Sequence, residues 1–279
     1  MASLQSSQYG KHRVRVLKVI RHPGGCHDVC ELDANVMLTL STDHSFAGDD
    51  NSLVVPTDTV RNTVNLLAHD HLGTNRHAFA RVIGRHFLAT YAHVAKVDVL
   101  LSERAWRRMD GHDHAFSHDA NGTPETHGVF SRTDGETLSG GLRGHLILKT
   151  TASSFTGYPV CPQTTLPPAE DRILSTRLSA RWDFAKDAAD GDLEKSDGLV
   201  RDALLDVFAN THSPSVQRTL FLMGEAVLAA VPFVERIHLK LPNVHFLNLD
   251  LSRLGRPEQR EVFLPTDEPH GQIEATVTR

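Results

Sequence analysis

Along this chain of 279 residues the spacing of apolar positions switches between two and three to four, and each switch marks an element. Val14 and Val16 alternate with Arg13 and Arg15, and Val36, Leu38 and Leu40 alternate with Met37 and Thr39, which predicts two half-buried strands. His22-Pro23-Gly24-Gly25 between them is turn chemistry, so the pair is expected as an antiparallel hairpin. Val54 and Val55 end an apolar run, Pro56 fixes the turn, and Val60, Val64 and Leu67 then recur at helical spacing from about residue 57. Phe79, Val82, Ile83, Phe87 and Tyr91 predict a second helix, and Val97, Val99 and Leu101 a further strand. A polar, glycine-bearing stretch follows over about 110 to 140, and the first half reads as ββααββ.

The second half repeats that order. Gly144 to Thr151 reads as a strand, Asp171 to Thr176 follows a proline-rich turn, and Val216, Leu220, Met223 and Val227 mark a helix ended near Pro232. The acidic segment from Asp187 to Asp197 is expected as a solvated connection. A long strand runs from Ile237 to Leu251; if its phase is unbroken at Pro242, Asn243 and His245 share the apolar face with Leu241 and Leu247. The expectation is an α+β chain of two tandem domains, 1–138 and 139–279, each an antiparallel sheet with helices on one face. Open sheet edges of that kind need partners, and closing them between chains into a barrel is a natural solution.

Lys plus Arg number 29 against 34 for Asp plus Glu, a formal charge of -5, so no overall basic field points to nucleic acid. Cys26, Cys30 and Cys161 are too few for a disulfide framework and suggest a reducing compartment. No apolar run approaches the length a bilayer needs and no Ser-Lys-Leu address ends the chain, so a cytoplasmic protein is expected, without nucleic-acid or membrane partners.

The candidate chemistry begins at Thr57 and Asp58. Either residue can serve as an ordinary helix cap, or the pair can form an anion-reading corner with open backbone N–H groups. His112 and His114, with Asp113 and His118, admit a metal-dependent hydrolase as a competing reading, although four candidate ligands on a glycine-rich loop are a low-specificity pattern.

Several separated motifs share one order with a known family. Tyr9-Gly10-Lys11, Val55-Pro56-Thr57-Asp58-Thr59, His112-Asp113-His114-Ala115-Phe116 and Leu148-Lys149-Thr150-Thr151 come first, followed by Phe155 and Gly157. Thr164-Thr165-Leu166, Asp171-Arg172-Ile173-Leu174-Ser175-Thr176, Ser215-Val216-Gln217 and Leu241-Pro242-Asn243-Val244-His245 complete the set. Together they resemble urate oxidase (uricase).

The resemblance implies two tunnelling-fold (T-fold) domains in a homotetramer with sites where subunits meet. It also implies oxidation of urate by O₂ and water to 5-hydroxyisourate and H₂O₂, with no metal or organic cofactor. By the same resemblance Lys11, Thr57 and His245 form the proton relay. Phe155, Arg172, Val216, Gln217 and Asp58 hold urate, and Asn243 stands beside O₂ or water. Pro56 and the Cys161-Pro162 pair depart from the family pattern. A catalytically inactive purine-binding or pterin-binding T-fold protein is the other alternative; it needs the stacking and pairing groups but not the relay. Taken singly, Lys11 reads as a strand-end cation, Arg172 as the partner of Asp171 or Glu170, and Phe155 as core.

Overall fold

A computed structural model describes residues 4–256 and 260–279. The chain divides into two compact units: Met1–Leu142 with Arg181–Gly198 and Phe233–Glu235, and Arg143–Ala180 with Leu199–Pro232 and Arg236–Arg279.

In the first unit, β1 (Tyr9–Arg21) and β2 (His27–Leu40) form the expected hairpin, with Val19 opposite Val29. Its turn places Gly24 and Gly25 at φ +88° and +86°, conformations that side chains with a Cβ rarely adopt. The short α1 (His44–Ala47) precedes α2 (Thr57–His71) and α3 (Arg76–Thr90), after which β3 (Val94–Arg104) pairs antiparallel with β2. β4 (Trp106–Arg108) and β5 (Phe116–His118) make a small separate ladder, and β6 (Thr123–Ser131) pairs with β3, giving the order β1-β2-β3-β6. The stretch over 110–140, polar in sequence, is therefore largely strand, including the start of β7 (Gly135–Lys149).

β2 buries every second residue: Cys30, Leu32, Ala34, Val36, Leu38 and Leu40. The apolar stripes of the helices, Val60, Val64 and Leu67 on α2 and Phe79, Ile83 and Phe87 on α3, are buried as well, with α2 lying over β1 and α3 over β3 and β6. Helix and sheet approach so closely at Gly84 that a Cβ there falls 2.0 Å from the Phe130 ring.

The second unit contains β8 (Leu174–Ala180 of a strand running to Phe184), α5 (Val216–Ala230), β9 (Val234–Asn248) and β10 (Phe263–Thr278), in the hydrogen-bonded order β7-β8-β9-β10. β1 and β10 each have one neighbouring strand, so each leaves an open edge among the described residues.

Two expectations change. The acidic segment from Asp187 to Asp197 is mostly helix, the start of α4 (Asp190–Asn210). Asp190 and Asp192 lie in its first turn, where they favour the helix dipole, and Leu193 and Ser196 are buried. On β9 the phase breaks at Pro242: Ile237, Leu239 and Leu241 are buried, but the next buried residue is Val244. Pairing with β10 runs unbroken through Pro242 to Asn243 and shifts register between Asn243 and His245, and these two residues flank Val244 as half-buried positions instead of joining the core face.

A buried polar cluster ties α3, β3 and the start of α4 together in the first unit. Arg76, 5% exposed, pairs with Glu103 at 3.0 Å and with Asp197. His77 Nε2 lies 3.2 Å from Asp197 Oδ1, while its Nδ1 lies 2.8 Å from the Thr126 hydroxyl. Burial alone raises the Asp197 pKa, but the Arg76 charge and the His77 hydrogen bond outweigh it and hold the carboxyl below its ordinary range. Burial lowers the His77 pKa and raises that of Glu103.

The depressed Asp197 pKa contributes stability above the ordinary carboxylate range, and that contribution is lost as pH falls through the folded-state value. Asp197→Asn is expected to lower unfolding free energy by up to about 3 kcal/mol near neutral pH, because it removes one of the two carboxylates paired with the buried Arg76 and weakens the contact with His77. Denaturant titrations at pH 7 and below pH 4 check this, the deficit shrinking at the lower pH.

Candidate active site

The first unit carries three of the candidate residues, Lys11 on β1 and Thr57 and Asp58 on α2. β1 passes so close to β2 that a Cβ on Gly10 falls 1.9 Å from the Val36 carbonyl oxygen, which makes glycine obligatory beside Lys11. Lys11 lies opposite Val36, and a bulge separates it from Val14. Arg13 takes up the extra residue at φ +57°, and its N–H donates to Asn35 Oδ1 at 2.8 Å. The Lys11 side chain is half-buried and makes no hydrogen bond or ion pair among the described residues.

Thr57 and Asp58 open α2. Its N-cap is Pro56, which offers no side-chain acceptor, so neither Thr57 nor Asp58 serves as the cap and the first-turn N–H groups stay open. Thr57 is exposed. The Asp58 carboxylate is occupied by Arg61 at 2.6 Å and Asn62 at 3.0 Å. Among the described residues a single hydrogen bond joins the approach to this helix to β1: the Val55 N–H donates to the Tyr9 hydroxyl oxygen at 2.8 Å. Burial raises the Tyr9 pKa, so the phenol stays protonated.

The second unit gathers Phe155, Arg172, Val216 and Gln217. Phe155 and Ala169 exchange backbone hydrogen bonds of 2.7 and 3.0 Å, and the Arg172 N–H donates to Ser153 O at 2.8 Å. The Ser154 N–H donates to Ser213 O and the Ser213 N–H to Ala152 O, which brings in the approach to α5. Ser215 caps α5 by accepting from the Arg218 N–H, Val216 is buried in the first turn, and Gln217 is exposed next to it.

Arg172 is not the partner of Asp171. The Asp171 carboxylate accepts from the Thr151 hydroxyl at 2.8 Å, the principal reason its pKa is depressed. The Arg172 guanidinium stands over the Phe155 ring, 5.2 Å from the centroid, with its Nε buried and without a partner. Burial lowers its pKa, yet guanidinium remains a cation at any working pH. An aromatic face beside a planar cation free of any carboxylate among the described residues suits a flat anion.

Asn243 and His245 lie on β9 opposite Gly271 and Thr266, where the pairing with β10 shifts register. Thr266 donates its hydroxyl to His245 O at 3.3 Å, so the contact engages the backbone of His245 and not its ring.

Three neighbours escaped the site reading. Tyr158 stacks on Phe155 with centroids 4.9 Å apart and donates its hydroxyl to Leu166 O. The Lys149 ammonium donates to Thr211 O at 2.7 Å and lies 5.5 Å from the Phe208 ring centroid, steadying the segment that leads to Val216. Burial lowers the Lys149 pKa. Tyr9 and Lys149 both fall inside motifs of the resemblance, which was the available signal.

The competing histidine cluster does not converge. His112, Asp113, His114 and His118 are exposed, the His118 ring faces Trp106, and the Asp113 carbonyl accepts from the His27 N–H. Among the described residues no group of three or more His, Cys, Asp or Glu side chains is arranged to hold a metal ion.

The family model described as Uricase matches residues 7–128 and 138–274. The chain belongs to the uricase family. The Dictyostelium discoideum uricase is 38% identical, covering 100% of this chain and 98% of its own length. The rabbit uricase, from Oryctolagus cuniculus, is 37% identical over 97% of this chain and 93% of its own. The crystal structure of the uricase from Arthrobacter globiformis superposes with a TM-score of 0.94 at 35% identity, covering 100% of this chain and 96% of that one. The tandem ββααββ units of this uricase-family chain are thus T-fold units.

Gly10→Ala forces its new methyl into the backbone of β2. It is expected to cost at least about 2 kcal/mol of stability, as overpacking against a backbone that cannot yield does. Equilibrium unfolding of the variant checks it.

Proposed function

We propose that this member of the uricase family oxidises urate at a site assembled from the two groups of residues described above. The half-site of one subunit is completed by the complementary half-site of another, in a homotetramer. The observation that carries the reading is Arg172: a half-buried planar cation set over an aromatic ring, with no carboxylate partner among the described residues. Support for assembly between copies comes from the open edges of β1 and β10 and from strand leucines left exposed, among them Leu17, Leu146, Leu148 and Leu264.

In this reading urate stacks on Phe155, and Arg172 donates two parallel hydrogen bonds to a carbonyl oxygen and the adjacent ring nitrogen. Gln217 presents a donor and an acceptor to another edge, with the Val216 backbone beside it. The open N–H groups at Thr57 and Asp58 complete the plane, where the helix N-terminus favours an anion.

Ground-state O₂ is a triplet and reacts slowly with closed-shell molecules unless an electron donor is at hand. Urate is that donor. Lys11, acting through the Thr57 hydroxyl, removes a second proton, and the resulting dianion gives up electrons more readily. Two electrons pass to O₂, which takes two protons and leaves as H₂O₂. Water held by Asn243 and His245 adds its oxygen to C5 and releases a proton, giving 5-hydroxyisourate. Atoms balance as urate plus O₂ plus H₂O, with urate the reductant and O₂ the oxidant, and in this reading neither a metal nor an organic cofactor takes part.

The purified protein is expected to consume urate in air with equimolar H₂O₂ release, to do so after exhaustive chelation, and to bind but not consume urate anaerobically. Binding without oxidation in air contradicts the reading. Lys11→Met should lower kcat roughly a hundredfold or more, at the upper end of a proton-transfer contribution, with urate affinity within about threefold of wild type. Near-normal turnover in that variant refutes the assignment. Arg172→Gln should instead weaken urate binding about tenfold to a hundredfold, the worth of a charge-assisted pair, as titration under nitrogen will show.

A further inference from the structure

We propose that Tyr9 is a positioning residue for oxidation, its hydroxyl clamping the strand that bears Lys11 to the helix start that bears Thr57; this rests on the relay assigned above. Lys11 and Thr57 come from different elements, and a proton relay tolerates little slack between its members. The Tyr9 hydroxyl accepts the Val55 N–H at 2.8 Å, and each partner lies two residues from one member of the relay.

Both two-residue offsets are stiff. Tyr9, Gly10 and Lys11 lie in unbroken ladder register with Leu38, Met37 and Val36, and the bulge begins only after Lys11. Gly10 is held against the β2 backbone, which fixes the height of the strand at that point. On the other side Pro56 stands between Val55 and Thr57, with φ locked by its ring at -55°. Val55 is 3% exposed, so water cannot readily replace the phenol as acceptor for its N–H. The clamp therefore sets the separation of the relay groups without itself touching substrate.

Tyr9→Phe deletes the acceptor and keeps the ring. Expected is a fall in kcat of roughly tenfold or more, the scale of a small misplacement of catalytic groups. Affinity for xanthine, a flat purine probe of binding alone, should change less than about threefold, because Arg172, Phe155 and Gln217 are untouched. In a Lys11→Met background the same substitution should add less than about a twofold loss, since residues acting as one unit are non-additive. Unchanged kcat in Tyr9→Phe, or an equal fold-loss in both backgrounds, overturns the proposal. Should Tyr9→Phe melt below the assay temperature, Tyr9→His, which keeps an acceptor nitrogen on a ring, is compared with wild type under the same xanthine and Lys11→Met controls. Full turnover for Lys11→Met alone sinks the relay itself, a failure distinguishable from failure of the clamp.

Discussion

The antiparallel ladder centred on β2 is the constraint from which the first unit is built. β2 pairs with β1 on one side and β3 on the other, the strands over which α2 and α3 respectively lie, and its own alternate residues are buried between them. A one-residue slip of that strand would turn Val36 and Leu38 outward and carry Lys11 to a new height. The close approach at Gly10 prevents any side chain from propping β1 away. The proposed relay residues stand on that frame, Lys11 just before a bulge and Thr57 at a helix start whose cap offers no side-chain acceptor. An uncapped helix start leaves open donors on the protein surface, and a bound anion can satisfy them.

The second unit solves a different problem, how to keep an arginine from finding a carboxylate. Asp171 is adjacent in sequence, yet its oxygens are engaged by Thr151 and the Ser153 N–H. Arg172 is left over Phe155, with Nε buried. A half-buried cation with no carboxylate partner among the described residues is costly in a finished fold and reasonable at a site whose ligand carries the opposite charge. Half-sites of this kind gain their meaning only when brought opposite one another, which links catalysis to assembly in the proposed tetramer.

Much of this was legible in the sequence, and the exceptions share a cause. Period-two patterns in β1 and β2 and the helical stripes of α2, α3 and α5 follow from each element having one covered face, so local spacing reports them directly. α4 was hidden because its acidic residues look solvated until Arg76 and His77, more than a hundred residues away in the chain, are seen to receive Asp197. The phase of β9 depended on an unbroken strand past Pro242, and a register shift against β10 between Asn243 and His245, invisible to local spacing, breaks it. Arg172 looked like half of a local ion pair because sequence adjacency says nothing about which way two neighbouring side chains point. Residue types and motif order therefore located the candidate site, whereas tertiary contacts decided which of its charges remained available.

The most direct measurement is a crystal structure of the protein with urate bound under nitrogen. Expected is the purine ring stacked on Phe155, paired in its plane by Arg172 and Gln217, with the Thr57 and Asp58 N–H groups of a neighbouring subunit at its far edge and Lys11 behind Thr57. Urate bound away from Arg172, or held by Arg172 with Lys11 and Thr57 remote in every subunit, contradicts the proposed site.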